Sequence, residues 1–207
     1  MDTIEQQLEA RLGRIHARQR LGIEAEHGHR VFGRGLNFFH PENWYSAHAL
    51  IRFAIQLVGL YERGQSNARN LQVKNNPIHL PHLPQAFHDF KILHLTDLHV
   101  DMDDRNLAAL IQTVAGLDYD ICALTGDYRA RTFGEIDGAV AGMQRLITTL
   151  KQPVYGILGN HDSIRMLPAL ESMGVIMLMN EATTLEKDGA KIFLAGVDDP
   201  HYFRVDN

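Results

Sequence analysis

The sequence contains a single cysteine, Cys122, which excludes an internal disulfide and a metal site built from several thiolates. Because Cys122 lies inside the apolar run ICALT, we predict that it is a core residue. The first thirty residues are charged, so no signal peptide is predicted at this end of the chain. We therefore expect a cytoplasmic protein, or one that sits peripherally on a membrane.

Long apolar segments are also scarce, and none is predicted to cross a bilayer. The strongest candidate is a helix from about Pro41 to Arg63, stopped by Gly64, which is short and contains Arg52. Its polar side chains form one narrow stripe and the rest of its surface is apolar. We first interpret such a helix as buried against the next domain; the alternative is contact with a membrane surface through residues 47–60.

Positive charge is sparse in the second half of the chain. Residues 1–90 contain ten Lys or Arg and eight Asp or Glu, whereas residues 91–207 contain ten and seventeen, so the net charges are +2 and −7. An acidic half is poorly suited to hold nucleic acid by charge, so a nucleic-acid partner is not expected. Asp and His suit divalent cations better, although a solvated acidic surface accounts for most of these carboxylates.

A glycine-rich phosphate loop is missing after every predicted strand, which argues against a nucleotide-binding α/β domain. From Lys91 onward strands alternate with helices, a pattern typical of a parallel α/β sheet. The predicted strands are KILHLT, YDICALT, PVYGIL and GVIML, with helices over residues 104–117, 135–150 and 163–173. The segment TTLEKDGAKIFLAGV then predicts a hairpin that turns at Asp188-Gly189.

The start of the chain predicts an amphipathic helix. Thr3 and Gln6 form a capping-box pattern. The apolar residues that follow share one face at helical spacing, namely Ile4, Leu8, Leu12 and Ile15. Glycines interrupt residues 21–40, which we predict to be irregular.

These patterns divide the chain into three parts. We expect a helical extension over residues 1–65, a connector over residues 66–90 and an α/β domain over residues 91–207. The connector is predicted to include an edge strand at NLQV. Its histidines match no ligand spacing and are predicted to lie on the surface, namely His79, His82 and His88.

Polar side chains follow each of the first three predicted strands. Asp97-Leu98-His99 follows KILHLT, Gly126-Asp127 follows ICALT, and Gly159-Asn160-His161-Asp162 follows PVYGIL. Ligands of open α/β sheets bind at the carboxyl ends of the strands, so we expect these clusters to meet at one edge. Each motif alone is weak, because Asp also caps helices and Gly-Asp is a common turn. Their succession, 30 and 33 residues apart from Asp97 to Asp127 to Asn160, favours a shared functional site.

The residue types in these clusters favour metal ions. Two carboxylates and a histidine make a mixed oxygen and nitrogen set that suits Mn, Fe, Zn or similar ions. An Asn amide oxygen adds a neutral ligand, and a carboxylate can bridge two ions. Two ions roughly 3.5–4 Å apart can activate a hydroxide and hold a phosphoryl group in line. We therefore predict two divalent metal ions and hydrolysis of a phosphoester.

The segments ILHLTDLH, ALTGD and ILGNHD resemble the calcineurin-like metallophosphoesterase family, over about residues 90–200. The flanking LPQAFHDF and AGVDDP are most similar to bacterial membrane-associated members, some of which cleave a lipid-linked sugar nucleotide. The resemblance implies a sandwich of two mixed β-sheets flanked by helices, with an N-terminal helical extension. It also implies a phosphodiester or phosphomonoester substrate, either a small molecule or a lipid-linked one.

The same resemblance implies the metal ligands. Asp97 and His99 would bind the first ion, Asp127 would bridge both ions, and Asn160 would bind the second.

It further implies how the substrate is handled. His161 would face the phosphoryl group and protonate the leaving oxygen. Asp162 would orient His161 and keep it cationic. Arg129 and Arg131, which we take to be exposed, are predicted to hold the substrate phosphate.

Members of this family carry two further histidine motifs after GNHD, and neither occurs before Asn207. His201, in DDPHYF, matches neither motif. We therefore expect a domain truncated on its C-terminal side, with an exposed sheet edge and little or no activity from this chain alone. The alternative is a non-catalytic fragment or degenerate member that binds a partner or a membrane through residues 1–65.

Overall fold

Four parallel strands form the sheet that carries the polar clusters. The computed structural model describes residues 3–30, 45–200 and 203, without the side chains of 27–30 and 45–48. The strands are β1 (Ile92–Leu95), β2 (Ile121–Thr125), β3 (Val154–Ile157) and β4 (Val175–Met177), in that order across the sheet. All three neighbouring pairs are parallel. All four predicted strands are confirmed. They could be recognised in the sequence because the strands of a parallel sheet covered on both faces are apolar runs such as ICALT.

Helices cover one face of this sheet and form the main core. They are α5 (Asp104–Val114), α6 (Asp137–Ile147) and, after a 3-10 turn at Ile164–Met166, α7 (Leu167–Ser172). Apolar side chains from these helices pack against Cys122 and Val154 of the sheet. Cys122 has no exposed surface, and burial raises the pKa of its thiol to about 12, so the predicted core position is confirmed.

An antiparallel hairpin packs on the other face. Its strands are β5 (Glu181–Lys187) and β6 (Ala190–Gly196), and it turns at Asp188-Gly189 with φ of 50° and 79°, as predicted. Leu185 of the hairpin and Phe87 of the connector form a second core with Ile121 and Tyr155 of the sheet. The parallel sheet thus lies between helices and a second small sheet, which confirms the predicted fold class.

Two helices at the start of the chain join the main core. They are α1 (Ile4–Leu12), with the predicted capping box at Thr3, and α2 (Arg14–Arg30). Leu8 of α1 and Ala17 of α2 are completely buried in the main core. The prediction for Ile15 is wrong: Gly13 separates the two helices, and Ile15 is 83% exposed on α2.

The predicted irregularity of residues 21–30 is also wrong, since α2 continues through them. A glycine inside a helix costs only about 1 kcal/mol, which tertiary contacts of the helix can outweigh. Residues 31–40 lie outside the described part of the chain.

The predicted helix over 41–63 is two helices. They are α3 (Tyr45–Leu57) and α4 (Tyr61–Arg69). The break falls at Gly59, which has a φ of 70°, whereas Gly64 lies inside α4 and does not stop it. Residues 41–44 are not among the described ones. The connector contains no strand at NLQV, and its three histidines are exposed as predicted.

The predicted burial of this apolar helix is wrong for the side chains that the structure describes. Six large apolar residues between positions 50 and 58 are more than one third exposed, namely Leu50, Ile51, Phe53, Ile55, Leu57 and Val58. A local apolar pattern shows that a helix has an apolar face, but it does not show whether the rest of the chain packs against that face. Among the described helices, none has both the length and the apolar character needed to cross a membrane.

Candidate metal centre

The loops at the carboxyl ends of β1, β2 and β3 come together at one edge of the sheet. The backbone N–H of Asp97 donates to the carbonyl of Gly126 (3.2 Å), and that of His99 donates to the carbonyl of Asp127 (3.0 Å). The backbone N–H of His161 donates to Oδ1 of Asp127 (3.0 Å). The loop after β2 therefore lies between the other two and holds both.

Three predicted ligands meet at this edge. Asp97, His99 and Asp127 each offer a ligand atom, and these atoms all lie within 4.8 Å of one another. Asp97 is exposed, whereas His99 and Asp127 are half-buried. Asn160 belongs to the loop after β3 and is half-buried beside His161. Two carboxylates and an imidazole at this separation fit a divalent transition-metal ion.

The backbone at these ligands is in an uncommon conformation. Asp97, His99 and Asp127 have φ values of 53°, 40° and 54°, in the left-handed region that residues other than glycine rarely adopt. Such conformations persist only where the surroundings hold them, and they concentrate at functional sites. Three neighbouring candidate ligands that share this conformation favour a functional site here.

The ring of His99 is held in one tautomer. Its Nδ1 lies 2.8 Å from the carbonyl oxygen of Arg129. A carbonyl oxygen can only accept, so Nδ1 carries the proton and Nε2 is the nitrogen that can bind a metal ion. This arrangement is the one expected of a histidine ligand.

His161 lies beside His99 and is oriented separately. The two rings meet edge to face, with their centroids 5.2 Å apart. Nδ1 of His161 lies 3.2 Å from the carbonyl oxygen of Ala130, which orients the ring. Nε2 is then the nitrogen left for a substrate, and it can donate a proton when the ring is protonated on both nitrogens. The ring therefore lies next to His99 of the candidate metal cluster, where the resemblance predicts a proton donor.

Asp162 does not orient the His161 ring, contrary to the prediction. Its Oδ1 accepts from the backbone N–H groups of Tyr128 (2.9 Å) and Arg129 (3.2 Å), and its Oδ2 accepts from that of Gly159 (2.9 Å). Burial raises its pKa to about 6, against these hydrogen bonds. Buried backbone donors need an acceptor, and this carboxylate supplies it. Asp162 thus joins the loop after β2 to the loop after β3.

The two predicted phosphate-binding arginines occupy different environments. Arg131 is exposed, but Arg129 is only 3% exposed, contrary to the expectation from sequence. The Arg129 guanidinium donates to the carbonyls of His161 (2.8 Å), Gly134 (2.9 Å) and Thr132 (2.6 Å). The backbone carbonyl of Arg129 also accepts from Nδ1 of His99. Arg129 therefore supports both His99 and His161. Sequence reasoning missed this role, because both arginines sit in the same short polar loop.

Two glycines let the loops approach this closely. Gly126 has a φ of 87°, and a Cβ there would clash with the backbone of Gly159. A Cβ on Gly159 would in turn clash with Oδ1 and the backbone nitrogen of Asp127. No side chain fits between the two loops, so the position of Asp127 depends on both glycines.

The Gly126→Ala substitution is expected to destabilise the protein more than Gly134→Ala does. Gly134 also has a positive φ (98°), but a Cβ there meets nothing within 4 Å. Gly134→Ala should therefore cost only the strain of the left-handed conformation, about 1–2 kcal/mol. Gly126→Ala adds a backbone clash and should cost at least about 2 kcal/mol more. Denaturant unfolding of both variants measures the difference, and equal losses would show that the loops can separate freely.

The comparisons with known proteins agree with this geometry. The family described as calcineurin-like phosphoesterase matches residues 90–204, which include all three loops. The chain is also 31% identical over 150 residues to a Bacillus subtilis (strain 168) protein named "Uncharacterized metallophosphoesterase YkoQ". That alignment covers 65% of this chain and 53% of the relative, so the chain spans about half the length of the curated relative it matches. Because this family model matches more than half of its length, the chain belongs to the calcineurin-like phosphoesterase family.

Proposed function

We propose that this protein is a metal-dependent phosphoesterase that uses two divalent ions to hydrolyse a phosphodiester or phosphomonoester. One observation carries the proposal: the ligand atoms of Asp97, His99 and Asp127 lie within 4.8 Å of one another. They do so in a chain of the calcineurin-like phosphoesterase family. Asn160, on the loop after β3, is proposed as a fourth ligand.

The residues around the cluster suit this chemistry. Bound divalent ions would supply a nucleophilic hydroxide and neutralise charge on the phosphoryl oxygens. His161, oriented by the Ala130 carbonyl, would donate a proton from Nε2 to the leaving oxygen. Arg131, exposed on the loop after β2, is proposed to contact the substrate phosphate, whereas Arg129 would support the loop.

We expect hydrolysis of bis(p-nitrophenyl) phosphate to depend on added Mn²⁺ and to stop when EDTA removes it. For the 207-residue chain itself we expect slow turnover, because four proposed ligands shared by two ions hold them weakly. The measurement is the rate of p-nitrophenolate release at increasing Mn²⁺ concentration. A rapid rate that saturates at low Mn²⁺ would show that these four ligands suffice.

The same assay separates the proposal from its alternative, a non-catalytic module that binds a partner or a membrane. That module would release no p-nitrophenolate at any Mn²⁺ concentration. The exposed apolar side chains of α3 favour a membrane surface or a lipid-linked substrate, and this contact stays a prediction. Co-sedimentation with anionic vesicles, lost in Phe53→Asp, would support it, and an unbound chain would contradict it.

A further inference from the structure

Helix α2 contacts the segment that follows His161. Glu24 of α2 accepts from Oγ of Ser163 (2.7 Å) and from the backbone N–H of Ile164 (2.7 Å). Nη2 of Arg20 donates to the carbonyl of Asp162 (3.1 Å). These are contacts between positions about 140 residues apart in sequence, with separations of 139, 140 and 142. They connect α2 to the loop that carries Asn160 and His161.

These contacts are made by one fully buried charge, Arg20, and one half-buried charge, Glu24. The side chain of Arg20 has no exposed surface, and its Nε and Nη1 lie 3.3 Å from Asp198 and 3.2 Å from Glu24. Its guanidinium also stacks on the ring of Phe203, 3.1 Å from the centroid. A buried charge is costly unless it is paired, and removing one partner leaves the other uncompensated. These pairs therefore favour the docked position of α2 seen in the structure.

Asp162 is held on two sides as a result. Its carboxylate accepts from the backbone of the loop after β2, at Tyr128 and Arg129, and its carbonyl accepts from Arg20. The Ser163 hydroxyl, which donates to Glu24, caps the 3-10 turn by accepting from the backbone N–H of Arg165. The segment from Asp162 to Arg165 thus depends on α2 as well as on its own domain. The family match begins at residue 90, so α2 lies outside it.

We propose that Glu24 and Arg20 are positioning residues, which hold the loop of Asn160 and His161 in place through Asp162, Ser163 and Ile164. The inference rests on the proposed function only for the role of that loop. On this proposal the N-terminal helices help to position the candidate metal centre, in addition to packing against the core.

Hydrogen–deuterium exchange of the metal-free chain tests the proposal. Glu24→Ala is expected to raise exchange of the backbone amides of residues 162–166 about tenfold, since Ile164 loses its acceptor. Mn²⁺ affinity, measured by electron paramagnetic resonance, should fall about tenfold as the ligand on this loop is displaced. Glu24→Gln keeps an oxygen for Ile164 and should restore most of the protection.

Arg11→Ala is the matched control on α1. Arg11 anchors the N-terminal helices through Glu171 (2.7 Å), Glu181 (2.7 Å) and the carbonyl of Met177 (3.1 Å). Its loss should loosen residues 171–181 while exchange at 162–166 changes less than about twofold. Equal exchange at 162–166 in the two variants would overturn the proposal, because α2 would then act only by docking.

A second variant and the metal-free conditions keep the exchange experiment decisive. If Glu24→Ala does not fold, Glu24→Asp, which keeps the negative charge beside Arg20 but is too short by one methylene group to keep the contact with Ile164, is compared with Arg11→Ala by the same exchange measurement. Exchange at residues 162–166 and Mn²⁺ affinity that match those of the unmodified chain would overturn the proposal. Because exchange is measured without metal or substrate, failure of the proposed phosphoesterase activity would leave this outcome unaffected.

Discussion

Asp127→Asn is expected to lower Mn²⁺ affinity at least about 100-fold. This drop is larger than the one that usually follows mutation of a residue that only hydrogen-bonds to a metal ligand. Asp127 lies on the loop between the other two and belongs to the ligand cluster. The asparagine keeps the size of the side chain and an oxygen that can accept from His161, so the loop should survive. The negative charge and a second ligand oxygen are lost. Metal-dependent hydrolysis should fall about 1000-fold, the scale of several kcal/mol of lost transition-state stabilisation.

Asp101→Asn is the control for this prediction. Asp101 is an exposed carboxylate close to the site, and its Oδ1 accepts from the backbone N–H of Ala130 (2.7 Å). It does not belong to the ligand cluster found among the described residues. The control removes one negative charge and keeps an acceptor, so Mn²⁺ affinity should change less than about threefold. Equal losses of Mn²⁺ affinity in the two variants would mean that the ion is attracted by the general negative charge of this region and is not bound directly by Asp127.

His161→Ala is expected to lower turnover with the metal content intact. Alanine keeps the backbone N–H that donates to Asp127 and removes only the ring, so the ligand cluster should persist. Loss of a general acid typically costs about 100-fold or more. The loss should be greatest for a diester with a poor leaving group, such as diphenyl phosphate. It should be smaller for bis(p-nitrophenyl) phosphate, because p-nitrophenolate leaves readily without a proton.

Rates on these two substrates, with Mn²⁺ content measured in parallel, check the role of His161. His94→Ala is the control: His94 is an exposed histidine on β1 whose Nε2 lies 2.7 Å from Oγ1 of Thr125. It should leave both rates within about twofold of the unmodified chain. An unchanged rate in His161→Ala would remove this ring from the mechanism. An equal loss on both substrates would mean that the His161 ring stabilises charge but does not transfer a proton to the leaving oxygen.

The motifs at the strand ends could be located from sequence because both of their determinants are local. Buried parallel strands require continuous apolar runs, and a glycine or aspartate marks the point where each run ends. Once the strands are parallel, their carboxyl ends must share an edge, so Asp97, His99 and Asp127 were expected together and lie together.

Contacts inside the site were less predictable. The resemblance implied that Asp162 orients His161, yet the Asp162 carboxylate accepts from three backbone N–H groups and the ring is oriented by Ala130. Arg129 and Arg131 are two positions apart, but only Arg129 is buried. Such differences depend on where each side chain points after the loops have packed, which a residue type does not specify.

The sequence by itself determined the parallel sheet, the hairpin at Asp188-Gly189 and the identity of the residues delivered to the sheet edge. Periodicity and turn chemistry act over a few residues and are read directly from the chain. Only the tertiary structure decided that the apolar side chains of α3 stay exposed while Arg20 is completely buried. The reason is physical: burial depends on partners contributed by distant segments, and the partners of Arg20 include Asp162 and Asp198, which no local sequence pattern places beside it.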